Sequence, residues 1–151
     1  MAGSRVPELL AALVALGRAD SELADVRVSD GPEVTEDSAQ DWLIVGFDGD
    51  PDGDFQSAQT VGGWTDLLGG REEEFQITVA AISQRGDTDV AAARARAYQI
   101  AGRVEAWLRS DPSLGLLSLE AAIGATQLTQ DQTNRGAQAR LLLTVAGRAF
   151  M

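Results

Sequence analysis

The chain has 151 residues, 44% of them hydrophobic, and a formal net charge of −11. That length and apolar content suit one domain with a real core, residues 1–151, and not a disordered polyampholyte. It contains neither Cys nor His, which removes disulfides, thiolate and Ser-His-Asp chemistry, the usual structural zinc, and the commonest general base. We therefore expect a non-enzyme with no catalytic residues, no cofactor and no metal.

The charge is unevenly distributed. Residues 20–54 hold twelve acids against Arg27 alone, so this stretch carries the whole excess, while the rest has eleven of each sign. Such a chain should not bind a nucleic-acid backbone by charge, because that affinity comes from neutralising phosphates with Lys and Arg. All twelve basic residues are Arg and Asn134 is the only Asn, a bias expected of a very GC-rich genome. No run of 18 apolar residues exists, so no membrane span is expected. The N-terminal apolar stretch is broken by Glu8 and reads as a mature helix, not a signal peptide.

In chain order, the first element is a helix. Pro7 and Glu8 suit its first turn, Leu9, Leu13 and Leu16 form its apolar stripe, and Gly17 is expected to close it as a C-cap. A short strand follows over residues 26–30, stopped by Gly31-Pro32, and then the polar loop "EVTEDSAQ". "DWLIVGF" is a second strand. "FQSAQTVGGW" reads as the strand returning from it, with a bulge at Gly62-Gly63. "TDLLGGREEE" is read as a loop turning on Gly69-Gly70.

"EFQITVAAISQ" alternates, with Phe75, Ile77, Val79 and Ala81 on one face. Thr88 or Asp89 should cap a helix over residues 90–108, whose stripe is Val90, Ala93, Ala97, Ile100, Val104 and Trp107. Two long strands finish the chain. One carries Leu117, Leu119, Ala121 and Ile123 on a face, the other Leu141, Leu143 and Val145, and "DQTNRG" is the turn between them. The expected fold class is α+β: a mainly antiparallel sheet of about five to six strands with two helices packed on one face.

"FDGDPDGD" raises the sharpest chemical question. Asp48, Asp50, Asp52 and Gly53 match the opening of an EF-hand loop, with Asp54 following. However, the twelfth position is Gln59 where a bidentate Glu is needed, Pro51 interrupts the loop, and strands rather than helices flank it. An acidic hairpin loop is the expected reading, and a weak calcium site on residues 48–54 is the alternative. Arg85-Gly86-Asp87 is read as a strand-to-helix connection, and Glu72-Glu73-Glu74 as a solvated strand entrance. Trp42, Trp64 and Trp107 are read as core or interface anchors, and no glycine pattern forms a phosphate loop.

Taken together, "VPELLAALVAL", "VSDGP", "DWLIVGFDGD", "RGDTDVAAARARA" and "QLTQDQTNRGAQARLLLTVAGRAF" make the chain resemble the tail terminator (tail completion) proteins of long-tailed phages, particularly actinobacterial siphophages. The resemblance implies a homohexameric ring that caps the tail tube and ends its polymerisation. It implies the tail tube protein and a head-side connector protein as partners, with DNA passing through the lumen unbound. The place implied is the head-proximal end of the virion tail, assembled in the bacterial host cytoplasm. Another head–tail connector or tail-tube protein is the alternative within that class. A small calcium-binding module and a carboxylate-dependent enzyme are the alternatives outside it.

Overall fold

The computed structural model describes residues 3–33, 39–65, 70–133 and 136–150. Its elements are α1 (Val6–Ala19), a short 3-10 turn (Ser21–Leu23), β1 (Arg27–Asp30), β2 (Asp41–Val45), β3 (Ala58–Thr65), β4 (Arg71–Arg85), α2 (Val90–Ser110), β5 (Leu119–Thr133) and β6 (Gly136–Phe150). The fold is α+β. Its six-stranded sheet runs β1-β2-β4-β6-β5, with β3 also on β4. Every pairing is antiparallel except β1 with β2.

The core follows from the alternation in β4. Phe75, Ile77, Val79 and Ala81 are buried together with Leu141, Leu143 and Val145 of β6 and with the inner stripes of both helices. Leu9 and Leu13 come from α1, and Ala97, Ile100 and Val104 from α2. The small residues of α2 let its axis approach the sheet closely. A second apolar cluster of Ile44, Phe47, Ala80 and Ile82 contains no helical residue. Both helices therefore cover one face of the sheet. Asp89 caps α2 by accepting from the Ala92 N–H at 3.0 Å.

The segment before Phe75 departs from expectation. Arg71, Glu72, Glu73 and Glu74 are not loop but the first residues of β4. Glu73 is buried, and its Oε1 accepts the Arg5 N–H at 2.9 Å, fixing the entry to α1. Period-two alternation extended backward from Phe75 puts Glu73 on the core face, so the signal was present in the sequence. The expected turn at Gly69 lies outside the described residues.

Gly17 is not a C-cap either. Helix α1 runs through it to Ala19, and a Cβ there would lie 3.0 Å from Val28 Cγ1 and 3.3 Å from Leu43 Cδ2. The glycine lets α1 lie against β1 and β2. Leu117 precedes β5 and is 83% exposed, so it is not part of the apolar face. The β5–β6 turn is tighter than expected, because the strands continue to Thr133 and resume at Gly136.

The largest correction concerns β2 and β3, which are not a hairpin. Both are antiparallel to β4, and both lie on the same edge of it. β2 covers residues 79–83 and β3 covers residues 71–77. They are two segments of one track, running in the same direction. The chain leaves the sheet at Gly46, whose N–H bonds Thr78 O at 2.7 Å. It rejoins at Ser57, whose carbonyl accepts the Thr78 N–H at 3.0 Å. Residues 46–57 are thus an excursion whose two ends meet at one residue of β4. The register shift expected at Gly62-Gly63 is present between Gly62 and Thr65.

Candidate functional site

The excursion carries Asp48, Asp50, Asp52 and Asp54 over the sheet face that no helix covers. Gly49, with φ of 79°, crosses Ile82 so closely that a Cβ would lie 2.7 Å from Ile82 Cδ1. Only glycine accepts both the left-handed backbone and that approach. Phe47 is buried in the outer apolar cluster, and the ring of Phe55 stacks on it at 5.1 Å and 10°. Phe55 has a φ of 60°, a left-handed conformation uncommon for a non-glycine residue. Arg140 of β6 donates to the Asp48 carbonyl at 3.2 Å.

Three of the four aspartates are occupied locally. Asp48 Oδ1 accepts the Asp50 N–H at 2.8 Å, Asp50 Oδ1 the Asp52 N–H at 2.9 Å, and Asp54 Oδ1 the Gln56 N–H at 3.1 Å. These are successive Asx turns, the use for which turns select Asp. Among the described residues, no group of three or more acidic side chains is arranged to hold a metal ion. We expect calcium at millimolar concentration to move the melting temperature by less than about 1 °C, because a ligand stabilises only in proportion to its binding of the folded state. A thermal scan in calcium against chelator checks this, and a rise of several degrees would contradict it.

Of the other acids of residues 20–54, Asp20, Glu22, Asp25 and Asp41 meet arginines from distant elements, and Glu33 meets Arg27. Asp20 Oδ2 accepts from Arg103 Nε at 2.7 Å and from Trp107 Nε1 at 3.0 Å. Glu22 lies 3.1 Å from Arg103, and Asp25 2.7 Å from Arg96. The buried Asp41 accepts from Ser83 Oγ at 2.7 Å and from Arg96 Nε at 3.4 Å, with Arg85 at 3.8 Å. Glu33 pairs with Arg27, whose hydrogen bond holds its carboxyl below the ordinary value. Burial alone would push the Asp20 carboxyl up, but the bonds from Arg103, the Glu22 N–H and Trp107 outweigh it and hold it down.

Part of the charge segregated in sequence is therefore paired in space, but that of the excursion is not. Among the described residues, none of its four aspartates forms an ion pair. Spacing alone could not reveal this difference, since it depends on which arginines α2 and β4 bring across.

The remaining sequence candidates are structural. Arg85 ends β4, and Asp87 accepts the Asp89 N–H at 3.0 Å at the entrance to α2. Trp42 rests on the outer apolar cluster and donates to Ala39 O at 3.0 Å. Trp107 joins the main core, while the side chain of Trp64 lies outside the described residues.

Grooves lie along the β5 side of the sheet. One of about 510 Å³ separates the excursion from β5, with Asp48 and Asp54 on one wall and Thr126, Gln127 and Thr144 among the others. Another, about 700 Å³, lies at the far end between β3 and β5, reaches Leu108 and Arg109 of α2, and includes Val61, Glu74, Glu120 and Arg148. Glu120 accepts from Arg148 Nε at 2.7 Å there. No helix of the described residues is long and apolar enough to cross a membrane.

No family model matches the sequence, and no curated protein matches it. Among solved structures, the chain is similar to one from the "Virion of native gene transfer agent (GTA) particle". The match has a TM-score of 0.65 at 14% identity and covers 99% of this chain and 100% of that one. At such low identity the likeness concerns architecture: from end to end, this chain has the fold of a protein found in that virion.

Proposed function

We propose that this protein is a structural subunit of a phage-like virion, and specifically a tail terminator. In this reading it assembles as a homohexameric ring on the head-proximal end of the tail tube, stops tube growth and meets the head-side connector. It is not an enzyme, and DNA passes through its lumen without specific binding. The observation that carries the reading is the end-to-end fold match with a virion chain. The residue-level resemblance to tail terminators points the same way and supplies the position in the tail. The same match also suits another connector or tail-tube subunit. Tube capping without polymerisation separates the two.

The uncompensated excursion is the surface assigned here to docking or to the DNA path. Asp and Asn form the same Asx turn through Oδ1, so Asp48→Asn, Asp50→Asn and Asp54→Asn together should leave the fold intact. Removing mutual repulsion, which is about 1 kcal/mol for a pair at 4 Å in water and less when screened, should if anything firm it. The expected result is an unchanged or slightly higher melting temperature with a reduced yield of infectious particles. Normal particle yield from the triple variant would withdraw the docking role from this loop.

A further inference from the structure

The sheet has two long open edges. Among the described residues, the outer sides of β3 and β5 pair with no other strand. Proteins protect such edges with charges, proline or very short strands, because an open edge accepts another strand. Here charge and proline are missing, and each strand keeps only one register irregularity. Residues 55–65, which contain all of β3, and residues 121–130, the middle of β5, carry no charge and no proline. In the same chain, 23% of residues are charged. The third open edge, β1, is the guarded kind: four residues long, beginning at Arg27 and ending at Asp30.

The geometry of β5 leaves it ready to pair. The Ala121 N–H points away from β6 and bonds Pro112 O at 2.8 Å. The register shifts between Ile123 and Ala125, which exchanges the inward and outward residues. Beyond it the ladder is regular, with Ala125, Gln127 and Thr129 facing β6, so Thr126, Leu128 and Gln130 turn their N–H and C=O groups outward. Residues 124–127 and 129–132 are exposed; among the described residues Arg94 of α2 donates to Gln130 Oε1 at 2.8 Å, a contact to its side chain and not to its backbone.

Strand direction also suits a pairing between β3 and β5. β3 is antiparallel to β4, β4 to β6, and β6 to β5, so β3 and β5 run in opposite senses at opposite borders of the sheet. If a second copy is added with its helices on the same side, its β3 meets β5 antiparallel, like the sheet's own long pairings. We propose that β5 of one copy pairs with β3 of the next, so that neighbouring subunits share one continuous sheet through a head-to-tail interface of the kind that closes rings. This deepens the ring reading and rests on it.

Proline tests the pairing, because at an outward N–H it spares the strand's own ladder and blocks an incoming strand. Thr126→Pro and Gln130→Pro should fold and yet weaken self-association, measured by light scattering across concentration, by at least tenfold. If either fails to fold, the double variant Thr126→Lys with Gln130→Lys asks the same question through charge alone. The cysteine-free chain also allows a direct contact assay. Thr126→Cys protein and Thr60→Cys protein are mixed, assembled and treated with a short bis-maleimide. The expected product joins one of each. Products joining only two Thr126→Cys chains would replace the interface with a β5–β5 dimer. Rings that form normally from the proline and lysine variants would overturn the interface and leave the ring standing. A chain that associates under no condition would overturn both.

Discussion

Gly147→Ala is expected to lower stability by roughly 3 kcal/mol, at the upper end of what one added methyl does in a packed interior. A Cβ at this position in β6 would lie 2.1 Å from Glu120 O, 2.7 Å from Phe75 Cζ and 2.9 Å from Ala121 Cα. Two of those atoms are backbone of β5, which cannot rotate away as a side chain can. The strands must part, and Phe75, buried on β4, must leave its place over the glycine. Gly102→Ala should do the opposite. Gly102 is exposed within α2, and its Cβ would meet nothing within 4 Å. Alanine there should add about 0.5–1 kcal/mol through helix propensity and a less disordered unfolded chain. Urea denaturation of both variants, compared at equal m-value, checks the pair. A Gly147→Ala protein as stable as the parent would mean that β5 does not lie where the structure puts it.

Asp20→Ala is expected to cost about 3 kcal/mol. Its side chain is 6% exposed. Its carboxylate caps the 3-10 turn through the Glu22 N–H at 3.0 Å and ties that turn to α2 through Arg103 and Trp107. Removing it leaves the Trp107 indole N–H and the Arg103 Nε–H without their acceptor, while Arg103 keeps Glu22. Asp20→Asn should cost less, because the amide oxygen can still accept one bond. The depressed carboxyl also fixes a pH dependence. A group whose folded value lies below its ordinary 3.8 contributes stability above that value and loses it as pH falls through the lower, folded one. Melting temperature should therefore be nearly flat from pH 7 to about 5 and fall below about 4. Asp111, held low by bonds from Ser113 and Gly115, and Glu33 act in the same direction. Asp20→Asn should thus flatten the acid limb without abolishing it. An acid limb of unchanged depth in Asp20→Asn would contradict the assignment.

What the sequence disclosed was whatever depends on local periodicity. The alternation of Phe75, Ile77, Val79 and Ala81, the stripe of α2, the Asp89 cap and the order of elements all follow from spacing along one segment. The split edge formed by β2 and β3 did not follow, because it depends on both segments choosing the same side of β4. A loop rich in Asp, Gly and Pro looks the same whether the chain reverses or rejoins its own track. Gly17 misled for a related reason. Glycine near a helix end signals a stop, unless a neighbour such as Val28 needs the space. The candidate loop was visible as composition. That its carboxylates form no ion pair was not, since Arg96 and Arg103 reach Asp25 and Asp20 only across the folded chain.

The most direct test of the tail-terminator reading is microscopy of the purified protein with and without tail tubes. The expected result is six-fold rings, formed at high concentration or on tubes, seated at one end of each tube and arresting its elongation. A protein that stays monomeric at every concentration and leaves tubes bare and growing would contradict it.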